Sequence, residues 1–208
     1  MGTILRHMTR RLVQNRAFEG VIQTILDDAV ALLGAEYGNV QLPIGEDLAI
    51  ATQRGLSADF LKTFWRVKRD DGSACGRALR LGIPVIIPDI EKDADFAVFR
   101  RDARRAGFRA VQSTPMITKD GTLLGIVSTH FADVNEPTPI EMNTLKEYAV
   151  IAAEYAYMVL DESYASLATQ AEQMSTKLYA RTLAHEERRI EPAADPRRTT
   201  PSGPLINC

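Results

Sequence analysis

The sequence predicts an α+β fold, in which a sheet built from hairpins carries helices against it. Three observations point there. Segments with strand and helix periodicity follow one another as helix, two strands, helix, strand, helix, two strands, helix, which is not a βαβ repeat. Two alternating apolar segments, 110–118 and 123–131, meet across Lys119-Asp120-Gly121 as a hairpin. From position 141 to about 189 there is neither Gly nor Pro, so one helix of exceptional length is expected.

Each element has its own local reason. Leu12, Phe18, Val21, Ile22, Ile25, Leu26, Ala29 and Leu32 recur at three- and four-residue steps, predicting a single amphipathic helix over 9–33 with Gly34 as its stop. Segments 39–44 and 48–53 are short strands joined through Gly45-Glu46-Asp47. Ser57 reads as the N-cap of a short helix, and Gly72-Ser73 opens another that runs through Leu81 and closes at Gly82. Residues 84–88 form a buried strand, and the charged segment 93–105 reads as a helical lid over one face of the sheet. In the long C-terminal segment, Ile151, Ala152, Tyr155 and Val159 suit packing on the sheet. Beyond them Leu160, Tyr164, Leu167, Ala171, Met174 and Leu178 alternate steps of four and three, the seam of a two-stranded parallel coiled coil. The division expected is a helical extension over 1–17, a sensory domain over 18–160, a signalling helix over 161–190 and a proline-rich disordered tail over 191–208.

With 208 residues, 45% hydrophobic and 25% charged, the chain has material for one core and an appendage. A net charge of -2 provides no bulk attraction to nucleic acid or to an anionic membrane, so neither partner is expected. No apolar run reaches the ~18 residues of a membrane span. Two cysteines, Cys75 and Cys208, are too few for a disulfide framework and point to a reducing cytoplasm. The basic N-terminus (Arg6, Arg10, Arg11, Arg16) reads as an amphipathic helix rather than a transit peptide, because its periodicity continues into the next helix. Neither a myristoylation start nor a prenylation box is present.

Polar residues are interleaved with the apolar ones on the second hairpin. Ser128 and His130 share one face of their strand, and Val127 and Thr129 share the other; Val111 and Ser113 likewise oppose Gln112 and Thr114. Both faces therefore carry polar atoms. One of them must meet a ligand, water or a loop, unless the hydroxyls bond neighbouring backbone. His130 reads as a ligand contact, a haem ligand or a satisfied core histidine. Cys75 stands in the first turn of its helix, where free amides and the helix dipole lower a thiol pKa and would favour a reactive thiol or a chromophore tether. A small buried hydrophobe is the alternative.

The runs GSACGRAL, PVIIPD, RAVQSTP and GIVSTHF between Gly72 and Phe131 resemble the GAF domains of bacterial sensor kinases, and the resemblance extends over about 18–160. It implies a six-stranded antiparallel sheet with the N- and C-terminal helices on one face and a ligand-sized cavity on the other. It also implies a homodimer through those terminal helices. The ligand contacts expected on this basis are Ser113, Ser128, His130, Val111, Cys75 and Asp89, around an unidentified small molecule. Bilin-binding relatives place a cysteine beside a histidine after the lid strand, where this chain has Arg100-Arg101. Methionine sulfoxide reductases of this fold share a Cys-Gly turn, echoed by Cys75-Gly76, but need a second cysteine in the lid and acids where Ser128 and His130 stand. Haem and bilin are accordingly not expected.

A second resemblance lies at the end of the long helix, where Tyr179 to Arg188 looks like the opening of a histidine-kinase phosphoacceptor helix with the pair His185-Glu186. An imidazole nucleophile beside an acid suits phosphotransfer. The pattern stops there, with no ATP-binding domain following. The expectation is thus a cytoplasmic small-molecule sensor without catalytic activity, which signals to a partner protein through its last helix. The alternatives are a kinase fragment with His185 as phosphoacceptor, or a thiol redox protein using Cys75.

Overall fold

A computed structural model of the chain describes residues 2–69, 71–162 and 166–190. At its centre is one six-stranded sheet with the order β3-β2-β1-β6-β5-β4, antiparallel throughout. The hairpins are β1 (Tyr37–Ile44) with β2 (Asp47–Arg54), and β5 (Ala110–Ile117) with β6 (Leu123–Phe131). They meet in the middle through β1 and β6. The edges are β4 (Val85–Ile87) and β3 (Arg66–Val67), the latter only two residues and too short to leave a period in the sequence. The β1–β2 register shifts at Val40 and Gln41, with Ala51 of β2 left over. On the other side of β1 the strand β6 comes so near that a Cβ on Gly125 would lie 2.3 Å from the Gln41 carbonyl oxygen. Only glycine allows that approach.

One face of the sheet is covered by α1 (Gly2–Leu12), α2 (Phe18–Leu33) and α6 (Pro139–Glu162). Val21, Ile25 and Ala29 of α2 and Leu145, Ala149, Ala152 and Ala156 of α6 close over Val40, Leu42 and Val127. The alanines of α6 let that helix lie close on its neighbours, and each buried branched aliphatic contributes about 1.5–3 kcal/mol. One charge is enclosed in this layer. Asp28 of α2 accepts from Arg11 at 2.5 Å and from the Tyr148 hydroxyl at 2.7 Å, which ties α1, α2 and α6 together. Burial raises its carboxyl above the usual range, while Tyr148 and Arg11 pull it the other way.

Two of the expected helices are divided. The helix expected over 9–33 is two, α1 and α2, with a turn at 13–17. Asn15 donates its amide to Thr24 at 2.8 Å, and the Tyr155 hydroxyl binds the Val13 and Asn15 carbonyls. Those bonds hold the turn and let α1 fold back onto α6. The helix expected over 141–189 is likewise divided into α6 and α7 (Leu167–Ile190), with Ser166 accepting from the Thr169 amide as an N-cap.

This second break changes what the seam does. Leu160, Ala171 and Met174 are buried in the chain's own core, and Leu167 and Leu178 pack against it. The seam therefore faces inward rather than presenting the continuous stripe of a two-stranded coil; Tyr164 lies outside the described residues. α7 packs against both β1 and β2. Its Ala171 and Met174 join Ala51 in the core, and its Glu172 pairs with Arg66 of β3. The tail expected over 191–208, with Cys208, also lies outside the described residues.

The other face carries α3 (Ala58–Phe64), α4 (Ala74–Leu81), a 3-10 turn (Asp95–Phe99) and α5 (Arg100–Ala106). Ser57 and Ser73 cap α3 and α4 by accepting from the amides of Phe60 and Gly76. The lid expected as one helix over 93–105 is the 3-10 turn followed by α5. It is fastened by Asp93, which takes both oxygens to Arg77 at 2.9 Å, and by Arg100, which donates to the Ile90 and Asp93 carbonyls. Among the described residues no helix is long and apolar enough to cross a membrane.

Candidate functional site

Strand register brings the polar residues of three strands into rows on the lid face. Asn39 of β1 pairs with Ser128 of β6, Ser128 with Ser113 of β5, and Ser113 with Val85 of β4. In the next row His130 lies between Tyr37 and Val111. Gln41 follows Asn39 at the two-residue step and so joins the same face. Over these rows α3 lowers Phe60 and Phe64, the 3-10 turn Phe96, and the segment before β5 Phe108. Together with Ser73, Ala74 and Cys75 they enclose a cavity of about 20 Å³, room for about one water molecule.

The two faces of the second hairpin now separate. On the helix-covered face, Thr114 donates to Gln112 at 2.8 Å and Gln112 donates to Thr129 at 3.4 Å, so these polar groups satisfy one another. On the cavity face, Ser113 and Ser128 share a hydrogen bond of 2.8 Å, but other groups have no partner. Among the described residues, four buried side-chain polar atoms lack a hydrogen bond, and three of them, Asn39 Oδ1, Gln41 Oε1 and His130 Nδ1, belong to residues lining this one cavity. Asn39, Gln41 and His130 are 2%, 1% and 4% exposed. An unsatisfied group at such depth costs about 1–3 kcal/mol, so three converging on one space mark a built site.

The electrostatics are those of a neutral, dry box. Burial pushes the His130 imidazole from 6.5 down to about 3, so it is uncharged at physiological pH. Its ring is held edge-on by Phe60 and Phe108, with centroids 5.4 and 4.7 Å away. Cys75 departs from the lowered thiol pKa expected at a helix start. Burial pushes its thiol from 9.0 up to about 11, against the weaker opposing effect of the Ser73 hydrogen bond. At neutral pH it is a protonated thiol lining the cavity, because desolvation outweighs the amides of a helix only eight residues long.

Of the expected ligand contacts, Ser113, Ser128, His130, Val111 and Cys75 come together in the cavity. Asp89 does not. It lies at the turn after β4, where its carboxylate takes two bonds from Arg109 at 2.7 and 3.1 Å and one from the Glu91 amide. The Arg109 guanidinium holds that carboxyl below the usual range, and its work is to fix the lid segment to the sheet. Asn39, Gln41 and the four phenylalanines complete the site without having been marked by the sequence. His185 is elsewhere, exposed on α7 in a groove of about 560 Å³ between α3 and α7, beside Arg181 and Glu186.

A GAF domain family model matches residues 15–156. The chain belongs to the GAF family. No curated protein matches it. Among solved structures, this GAF domain is similar to the GAF domain of a phosphoenolpyruvate-protein phosphotransferase from Coxiella burnetii, at 16% identity and a TM-score of 0.67, covering 78% of this chain and 96% of that one. It is similar to the free methionine-R-sulfoxide reductase of Neisseria meningitidis in complex with its substrate, at 15% identity and a TM-score of 0.63, over 76% of this chain and 89% of that one. It is also similar to a domain of a putative two-component sensor histidine kinase protein from Sinorhizobium meliloti 1021, at 15% identity and a TM-score of 0.57, over 71% and 96%. At these identities the likeness establishes the GAF fold. The same fold thus occurs in a reductase and beside kinases, so the chemistry here must be argued from the cavity.

Proposed function

We propose that this GAF domain is a cytoplasmic small-molecule sensor in which occupancy of the cavity is read out by α7. One observation carries the reading: α3 belongs to both sites. One side of α3 gives Phe60 and Phe64 to the cavity, while its other contacts hold α7. Lys62 pairs with Glu186 at 2.8 Å, Trp65 just beyond α3 meets Tyr179 in a tilted ring contact at 4.5 Å, and Leu178 packs on the same apolar cluster as the two phenylalanines. A ligand larger than one water must push those rings outward, and α3 cannot move without loosening α7. The domain is then a binding module acting on a partner protein rather than a catalyst. A tetrapyrrole would require all four phenylalanines to leave, so the ligand is a smaller molecule.

Trp65 is the single tryptophan of the chain and reports this step. Native mass spectrometry of protein purified from its own host should show a bound small molecule. Adding that molecule to stripped protein should shift Trp65 emission and raise amide exchange along α7. Saturation of the cavity with neither change would end the transmission reading.

A second reading, a sensor of the histidine-kinase type, is favoured by the same latch. Glu186, the acid beside His185, is held by Lys62 of α3, so opening α3 would release the base that a phosphoacceptor histidine needs. Phosphoramidate should then transfer its phosphoryl group to a His185 nitrogen, releasing ammonia, and do so faster in Lys62→Ala. Equal labelling of wild type and His185→Ala would dismiss His185 as the acceptor.

A further inference from the structure

We propose that the cavity takes a compact, planar, non-anionic ligand carrying at least two N–H donors, of the urea, amidine or amino-heterocycle class. This rests on the sensing reading above and names the ligand class of the same site. The fully enclosed atoms without partners are alike in kind. Asn39 Oδ1 and Gln41 Oε1 accept and cannot donate, and the unpaired His130 Nδ1 accepts when the ring carries its proton on Nε2. Ser113 and Ser128 already bond each other, so they compete little for an incoming donor.

The walls exclude the opposite class. No Lys, Arg, Asp or Glu lines the cavity. Arg77, Arg100 and Arg109 are already committed to Asp93, to the Ile90 and Asp93 carbonyls, and to Asp89. A carboxylate or phosphate would be desolvated there with no cation to compensate it. The aromatic walls favour a flat body or a delocalised cation, because Phe60, Phe64, Phe96 and Phe108 present ring faces and edges around the polar floor. The ligand reaches the floor by turning these rings aside.

Three small probes of one shape separate the possibilities: phenylurea, which is neutral with N–H donors, benzamidine, cationic and donor-only, and benzoate, anionic and acceptor-only. Titrated into the full chain labelled with 15N-histidine, phenylurea and benzamidine should shift the His130 Nδ1 resonance saturably, and benzoate should not. The double variant Asn39→Leu, Gln41→Met keeps side-chain shape and should weaken both donor probes at least about tenfold. Benzoate binding as tightly as phenylurea, unchanged donor binding in the double variant, or silence from all three probes at millimolar concentration overturns the assignment of ligand class. Trp65 emission separates this from the parent reading. If a probe binds the cavity and moves Trp65, sensing stands whichever class wins; if a probe binds and Trp65 is unmoved, sensing falls while the class assignment survives.

Discussion

Acid should destabilise this protein in part through His130, and replacing that residue with phenylalanine should remove its share of the sensitivity. The imidazole is buried and neutral in the fold, with its pKa pushed from 6.5 to about 3 by desolvation. Between those values the unfolded chain binds a proton at this site and the folded chain does not. Stability therefore rises with pH across the window, and it is lost as pH falls from about 6.5 toward 3, with no further loss from this group below. The steepest slope one group can give is about 1.4 kcal/mol per pH unit, so several kcal/mol are at stake over the window. Urea unfolding of wild type and His130→Phe from neutral to acidic pH should give stability curves that diverge below about pH 6. Phenylalanine suits the position, since Phe60 and Phe108 already pack edge-on against the ring. Parallel curves would show that His130 gains its proton inside the fold. The sign also bears on function: the site does not change charge between pH 5 and 8, so it reads a ligand rather than acidity.

The parts of the fold legible in the sequence are those decided locally. Alternation over 110–131 fixes the second hairpin and its two faces, and Ser57, Ser73 and Gly82 mark helix ends through hydrogen bonds within a few residues. The helix breaks were not legible, because their causes are distant. Asn15 is a weak stop signal alone; it becomes a turn when the Tyr155 hydroxyl, 140 residues away, binds its carbonyl at 2.6 Å. Ser166 is equally quiet, and the fold-back of α7 rests on distant partners: Ala171 and Met174 join the core, and Glu172 and Tyr179 meet Arg66 and Trp65. An a/d stripe states that one face will be buried, not which surface will bury it.

The candidate site divides the same way. Ser113, Ser128 and His130 are readable from strand alternation, and so in principle are Asn39 and Gln41, polar residues two apart that alternate with Val40 and Leu42. What gives that pair meaning is the sheet order, which sets β1 beside β6. The phenylalanine walls come from three separate segments and leave no pattern in the chain. Cys75 shows a competition the sequence cannot weigh: a helix start lowers a thiol pKa by proximity, and burial raises it by more.

Removing the unpaired acceptors should make the ligand-free protein more stable, not less. Asn39→Leu keeps the branching of the side chain and Gln41→Met keeps its length, so neither opens a void in a cavity of about 20 Å³. Each exchange removes a buried carbonyl oxygen without a partner, which costs about 1–3 kcal/mol when nothing else compensates. The Gln41 amide also bonds the Cys75 thiol, and losing that weak bond offsets part of the gain. The double variant should be more stable by about 1–3 kcal/mol and melt several degrees higher, at about 2–4 °C per kcal/mol for a chain of this size. It should bind the donor probes worst, because the acceptors that destabilise the ligand-free state are those that hold the ligand. Calorimetric unfolding of both proteins decides it. A double variant that melts lower would mean that the two amides are already satisfied in the native state and that the cavity is core; one that melts higher and no longer binds would mean that the fold carries an unpaired polar floor which only a ligand completes.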